Sequence, residues 1–581
     1  MTAAGPTVAA PEGADEHRFW LKHYPANVPH HVTVPDRSLH ALVAEAVRTY
    51  PGHTALIYYG RRYTYAEFWR ETGRFAEQLR ADGIRPGDRV ALYLPNTPLY
   101  PIALFGILRA GAIAVQISPL YLGQDLVALL KDSEPAAIVT LEILYPNIAR
   151  VRAEHSVPRA YVARFRDFYP GFARPFVNRV LRKRGRPTDF PAGPEVVPWT
   201  AVRRRDGRSF VDAVVDPATA VAVLQYTGGT TGIARAAMLS HRNLVANVVQ
   251  ANTWNVRRRA GEEVILTAIP LFHIYGLTVG LLLGLTEGDA VVLQTQPDVP
   301  ELLRLIRRYR PTQFPGVPAL YAGLLRNPKT KEYDLHSIRF CLSGSAPLPQ
   351  EVQRQFETLT GAALIEGYGL SETSPATHVN PLEGDRRAGS IGLPLPDTDQ
   401  KVVDLESGMR ELPIGEIGEL VVRGPQVMLG YYRRPGETAL VLENGWFRTG
   451  DVARLDADGF AYIVDRKKDM INVAGMKVWP REVEEILFQH PAVQDAAVVG
   501  TPDPERGEVV KAYVVLRPGA TATEGDLIAF VRERLAHFKA PRSIEFRDAL
   551  PRSGVQKVLR RVLRDEGTAP TPGAAPRAPP G

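Results

Sequence analysis

From about residue 65 to residue 344 the chain alternates stretches of helical periodicity with short apolar runs. Strands of that kind are buried on both faces, which calls for a largely parallel sheet covered by helices. Residues 66–82 put Phe68, Phe75 and Leu79 on one helical face and stop at Gly83, after which VALYLP (90–95) reads as a strand. A second helix ends at Gly111 before AIAVQIS (112–118), and LVALLKDSE leads into AAIVT (136–140). The runs VAVLQY (221–226), VILTAI (264–269), DAVVLQ (289–294) and SIRFCLSG (337–344) continue the pattern, with helices such as 301–310 between them. The expectation is an α/β protein whose large N-terminal domain, residues 17–465, is built on mostly parallel, helix-covered sheets.

After Asp465 the texture changes. A helix at 481–489 turns Val483, Ile486 and Leu487 inward, and two β-rich runs, VQDAAVVG and VVKAYVVL, follow it. A further helix starts at the N-cap Thr523 with Asp526 three residues on, an acidic variant of the capping box, and SIEFRD closes the set. Residues 466–565 thus read as a small α+β C-terminal domain, entered through the charged turn DRKKD (465–469). Residues 1–16 and 566–581 are rich in Ala, Pro and Gly and read as disordered tails. The first of them lacks the basic and apolar regions of a secretory signal, and no apolar run reaches the roughly 18 residues of a spanning helix, so a cytoplasmic protein is expected.

Among 581 residues there is one cysteine, Cys341, which excludes an internal disulfide framework and a cysteine-rich metal site and fits inert burial. The net charge of +7 is mild for this length, but its distribution is uneven. Residues 159–186 hold nine Arg/Lys against Asp167 alone, a local +8. Phe165, Phe168, Tyr169, Phe172, Phe176, Val177, Val180 and Leu181 are interspersed with those cations, while Pro170, Gly171 and Pro175 interrupt any long amphipathic helix. The stretch fits either a solvated surface connection or a peripheral, salt-sensitive contact with anionic headgroups. Nucleic acid is the poorer partner, because no binding fold accompanies the charge.

The most unusual stretch is YTGGTTG, 226–232, between the strand VAVLQ and a helix that begins near Ser240. Three glycines let backbone amides converge on an anion and three threonines add hydroxyls, so a strand, loop and helix in succession would suit a polyphosphate. A Walker A loop would need Gly and Lys where Ile233 and Ala234 stand. Read alone, the loop fits a flexible Gly/Thr connection equally well. Four more segments accompany it: GSAPL (344–348) and EGYGLSET (366–373), each after a strand, FRTGD ending at Asp451, and DRKKD.

In this order and spacing the five segments resemble the adenylate-forming superfamily of acyl-CoA synthetases, adenylation domains and luciferases, over about residues 17–566. LQYTGGTTG, PLFHIYG and PDRSLHALV with ALFGILRAG look most like bacterial long-chain fatty acid–CoA ligases. The resemblance implies ATP-dependent activation of a fatty acid to acyl-AMP, with Mg2+, and transfer to CoA. It implies that Thr227, Gly228, Gly229, Thr230, Thr231, Gly232 and Arg235 hold the departing pyrophosphate, and that Glu372, with Ser371 beside it, holds the metal. A hard cation of that kind takes one or two carboxylates plus phosphate oxygens. By the same carry-over Gly344, Ser345, Ala346, Glu366, Gly367, Tyr368 and Gly369 line the adenine slot, and Asp451 accepts from the ribose hydroxyls with Arg466 assisting. Lys557 is the catalytic lysine, Lys468 the hinge about which the small domain turns, and Gly475 lies in the loop that turning brings in. His273 reads either as a satisfied core histidine or, by resemblance, as a residue at the acyl carboxylate. A homodimer stays open.

The sequence departs from the family where Arg235 replaces a lysine, Ala236 a glycine and Gln556 a glycine before Lys557. Those substitutions bear on rate more than on fold. They also permit a weakly active lipid-binding homologue that keeps the fold, while within the enzyme class a medium-chain or aryl acyl-CoA ligase and an acyl-AMP ligase stay open. An acyl-AMP ligase is disfavoured, since no insertion is visible between 465 and 565.

Overall fold

A computed structural model describes residues 17–152, 154–155, 157–191, 193–227, 234–552 and 558–568. It is a mixed α/β protein, and its contacts divide it into two compact units. The first comprises the chain up to Gln400 together with Val422–Phe447 and Asp458–Phe460; the second comprises Lys401–Val421, Arg448–Ala457 and the chain from Ala461 onward.

Local chemistry explains the first unit's helices. Helix Tyr65–Ala81 starts in a reciprocal capping box between Thr64 and Glu67, worth about 1 kcal/mol, and ends before Gly83 at φ +82°. It buries Phe68, Phe75 and Leu79 completely, at roughly 2 kcal/mol for each side chain withdrawn from water. Its neighbour Leu99–Arg109 comes close because Gly106 is bare: a Cβ there would lie 2.8 Å from the Phe75 ring.

The largest sheet has eight strands in the order Gly430–Tyr431, Arg235–Ser240, Val221–Thr227, Ile113–Ile117, Arg89–Tyr93, Ala137–Leu141, Ala160–Ala163 and Val196–Pro198. From Val221–Thr227 to Val196–Pro198 every pairing is parallel, and Ala137–Leu141 is buried at every position. A second sheet orders Val264–Thr267, Ala290–Leu293 and Thr54–Tyr58 in parallel, with Arg61–Thr64 antiparallel at its edge. In a third, Phe340–Ser343 runs parallel to Ala363–Gly369, and Ala376–Val379 and Leu393–Pro394 complete it antiparallel. Cys341 lies in this sheet with its thiol fully buried, and that burial pushes the thiol pKa well up.

In the second unit Val493–Asp503 and Gly507–Leu516 form a long antiparallel hairpin, joined by Ser543–Phe546 in parallel and by Ile471–Val473. Helices Pro480–Gln489 and Glu524–Arg532 pack Val483, Leu487, Leu527 and Val531 against Val498 and Val510 of the hairpin. Thr523 and Asp526 make the expected capping box.

Candidate active site

In the first unit, strand Val221–Thr227 carries Tyr226 one residue before its end, and the Tyr226 hydroxyl donates to Leu129 O at 3.1 Å and Asp132 Oδ2 at 2.8 Å. Burial, then the Asp132 charge, pushes this phenol's pKa up, so Tyr226 pins the strand end as a neutral donor. Gly228, Gly229, Thr230, Thr231 and Gly232 lie outside the described residues. The chain re-emerges as strand Arg235–Ser240, which pairs antiparallel with Val221–Thr227 and sets Thr227 opposite Arg235. This corrects one expectation. The loop joins two strands of a hairpin and does not open onto a helix; the helix His241–Trp254 starts only after the second strand, capped by Ser240 and Asn243. The helix expected near Ser240 is in place; what the sequence left unassigned is the run RAAMLS, which pairs on both sides.

Arg235 pairs with Glu437, and its guanidinium stands 5.6 Å from the centre of the Tyr431 ring. Tyr431 is on the strand next to Arg235–Ser240, opposite Ala237, and donates its hydroxyl to Glu372 Oε1 at 2.8 Å. One tyrosine therefore touches both the candidate phosphate cation and the candidate metal ligand. Burial and the Glu372 charge raise the Tyr431 pKa, which keeps it a donor. Glu372 is 9% exposed, in the short turn Ser371–Thr373, and its own carbonyl accepts from Met428 N at 2.8 Å. Neither Tyr431 nor Glu437 was singled out from the sequence: they lie in GYYRRPGET, whose composition is that of an ordinary turn.

Register explains the adenine slot. Phe340–Ser343 and Ala363–Gly369 run parallel with Ser343 opposite Glu366, so Gly344–Ala346 follows the carboxyl end of one strand beside Gly367–Gly369, the carboxyl end of its neighbour, the usual ligand end of such sheets. Glu366 Oε1 accepts from Leu348 N at 3.3 Å, tying the two segments together. The glycines are sterically required: a Cβ on Gly367 would stand 2.9 Å from Leu342 Cδ1, and one on Gly369 2.0 Å from Pro375 O. Ser345 takes φ +70°, a left-handed conformation that a non-glycine residue rarely adopts. Tyr368 pairs in register with His378, their ring centres 6.0 Å apart. Below Gly344 the buried Tyr275 donates to Leu342 O at 2.6 Å and Gly316 O at 3.1 Å.

His273 is half-buried and caps the helix Ile274–Leu277, its Nδ1 accepting from Tyr275 N at 3.3 Å. The loop that presents it is clamped by Asn96, which donates to Ile269 O and accepts from Leu271 N, both at 2.8 Å, and by Gln225, which donates to Phe272 O at 3.2 Å. Nearby, Trp254, Val279, Leu283, Pro315, Phe340 and Leu342 line an apolar crevice of about 30 Å³. That is about one water's share of volume.

In the second unit, residues 451–455 pair with Ala461–Arg466 so that Asp451 faces Arg466, with Nε to Oδ1 at 3.5 Å. Asp451 is 7% exposed, and its amide donates to Thr449 Oγ1 at 3.1 Å. Lys468 is exposed as a residue, yet crowding that dehydrates its ammonium, followed by repulsion from Arg466, lowers its pKa to about 8. Gly475 at φ +87° and Ala474 at φ +50° form the two-residue turn between Ile471–Val473 and Met476–Val478. Lys557 lies outside the described residues. Just beyond it in sequence, Arg560, which no motif singled out, is largely buried. It reaches Glu484 at 2.6 Å, Asp465 at 3.1 Å and Asp469 at 3.3 Å, and so ties both ends of the DRKKD turn to helix Pro480–Gln489.

Among the described residues no group of three or more His, Cys, Asp or Glu could hold a metal ion by itself. The single buried carboxylate of Glu372 fits a different mode, in which Mg2+ takes one protein carboxylate and completes its shell with substrate phosphates and water.

Strands delivering small-residue turns at their carboxyl ends, beside a buried acid and an arginine, define a nucleotide-handling α/β enzyme. Residues 43–432 match the AMP-binding enzyme family and residues 482–557 its C-terminal domain, and the chain belongs to that family. It is 41% identical over 550 residues to a long-chain-fatty-acid–CoA ligase of Bacillus subtilis, covering 94% of this chain and 98% of the relative. To the enzyme of the same name from Escherichia coli O6:H1 it is 41% identical over 555 residues, with coverage of 94% and 98%. Among solved structures it resembles ATP-bound MatB from Rhodopseudomonas palustris, with a TM-score of 0.79, 30% identity and coverage of 91% and 99%.

Proposed function

We propose that the protein is an AMP-forming long-chain fatty acid–CoA ligase, which condenses ATP and a fatty acid into acyl-AMP and pyrophosphate and then passes the acyl group to CoA, releasing AMP. The reading rests above all on likeness to long-chain ligases over 94% of the chain. The geometry supports it. Arg235 supplies charge to the β and γ phosphates as pyrophosphate leaves, with residues 227–232 around them. Glu372, oriented by Tyr431, holds Mg2+, which neutralises phosphate charge when bound. The slot of Gly344–Ala346 and Glu366–Gly369 takes adenine, and Asp451, with Arg466 alongside, accepts from the ribose hydroxyls.

The chemical difficulty is that two anions must meet: the carboxylate oxygen attacks the α-phosphorus while pyrophosphate departs. Lys557 relieves their repulsion with a compact ammonium that reaches both groups. Turning of residues 466–565 about Lys468 then withdraws Lys557 and brings in the turn at Gly475 for thioester formation. His273, fixed by its capping bond, borders the acyl carboxylate, and the tail enters the crevice beside Trp254 by parting its side chains. Purified protein given ATP, CoA and saturated acids from acetate to stearate should yield acyl-CoA most efficiently with long chains. A profile that peaks at short or medium acids, or a benzoate control used better than any of them, overturns the substrate assignment, and absence of AMP with every acid overturns the ligase itself.

A further inference from the structure

The basic stretch 159–186 is not uniform in the folded protein. Its inner aromatics belong to the body: Phe168 is fully buried, Tyr169 stacks on Tyr59 with ring centres 5.0 Å apart, and Tyr58 meets Tyr169 edge-on. The backbone is pinned there too, since Phe165 N donates to Glu142 Oε2 at 2.7 Å and Arg61 donates to Asp167 O at 2.8 Å. Pro175 does not interrupt a helix; it opens one, Arg174–Lys183, entered directly from the turn Gly171–Ala173.

That helix has two unlike faces. Val177 and Leu181 turn inward, each only 9% exposed. Phe176 on this helix is 68% exposed and Phe172, in the turn just before it, 89%, a large apolar surface left in water. Phe176, Arg179 and Lys183 follow one another at spacings of three and four residues, so they form a single stripe, with Phe172 exposed in the turn that leads into it. Cations surround it. Arg159, Arg164 and Arg166 pair with Asp82, Asp189 and Asp167, but Arg179, Arg182, Lys183, Arg184 and Arg186 make no ion pair among the described residues. Adjacent exposed phenylalanines and unneutralised cations, on a helix clamped to a rigid base, complement a surface with an apolar interior beneath negative headgroups.

We propose that this face is a docking surface for an anionic lipid bilayer, with Phe172 and Phe176 inserted below the headgroups and Arg179, Arg182 and Lys183 lying among them. The contact is confined to the exposed face of helix Arg174–Lys183 and the turn that leads into it, and it stands whether or not the ligase reading holds. The expected strength follows from the parts: each cation near the headgroups strengthens binding about fivefold, and partial burial of the two rings adds about tenfold together.

Full-length protein should co-sediment with phosphatidylcholine vesicles doped with phosphatidylglycerol at low salt, release at high salt, and stay in the supernatant with phosphatidylcholine alone. R179Q/R182Q/K183Q should weaken partition by roughly 100-fold, and F172S/F176S by about tenfold. Both sets lie on the solvent face, so their thermal unfolding should match the parent's. The Phe176→Trp protein should shift its emission to the blue on the doped vesicles. Equal recovery in the supernatant with and without doped vesicles at low salt overturns the proposal. So does undiminished binding by either variant, or a short DNA duplex bound as tightly as the vesicles.

Discussion

The two units carry their candidate residues in opposite ways. In the first, Gly369 has no room for a single added carbon, Glu372 is held by Tyr431, and Tyr275 braces Gly344 from below. In the second, Gly475 has nothing within 4 Å of where its Cβ would be, and Lys468 is exposed. Packing fixes geometry in the one; backbone conformation and charge fix it in the other. The proposed mechanism asks for such a contrast: a preorganised nucleotide slot, and a second set of residues free to move between half-reactions. Yet the second unit is not loose throughout, because Arg560 locks both ends of the DRKKD turn.

The sharpest test of the contrast is Lys557→Ala. It should slow adenylate formation by about 10³-fold while leaving thioester formation from supplied acyl-AMP largely intact, because the lysine serves one half-reaction; equal loss of both in single-turnover assays breaks the division. Next is Gly369→Ala, whose Cβ would meet a backbone carbonyl. A loss of about 3 kcal/mol of stability with loss of activity is expected, read by denaturant unfolding.

Burial within the first unit also has a pH signature. Glu142 is 1% exposed with Oε1 unpartnered among the described residues, and burial lifts its pKa to about 7 despite the bond from Phe165 N. A carboxyl raised in the folded state binds more protons there than when unfolded. Stability should therefore fall as pH rises from about 4.5 to about 7, by about 3 kcal/mol in all, and level off above. Glu142→Gln should remove that slope in denaturation curves at pH 5 and pH 8; an unchanged slope assigns it elsewhere.

Tyr431→Phe should cost about tenfold in kcat/KM and raise the Mg2+ concentration needed for half-maximal rate, as expected for one hydrogen bond to a charged group. Gly475→Ala is the mild counterpart of Gly369→Ala. Only its positive φ resists, so about 1 kcal/mol of stability is expected, with the effect on rate confined to thioester formation. Similar damage from the two glycine substitutions would erase the contrast.

The strands and helices were legible in the sequence because buried parallel strands are continuous apolar runs and the helices carry caps such as Thr64 and Thr523. The hairpin return Arg235–Ser240 was not, since RAAMLS leads straight into a capped helix and lacks the alternation of a half-buried strand. Motif residues such as Glu372, Asp451 and Tyr368 were found by resemblance. Tyr431, Glu437, Asn96 and Arg560 were missed because their roles arise from contacts between segments distant in sequence, which no local pattern encodes.

The central claim is that the chain activates a fatty acid through an adenylate. Protein incubated with ATP and palmitate, without CoA, should release pyrophosphate in one-to-one ratio with enzyme-bound palmitoyl-AMP, and a chase with CoA should convert that adenylate to palmitoyl-CoA and free AMP. Release of ADP and phosphate, or an adenylate that CoA does not discharge, would contradict it.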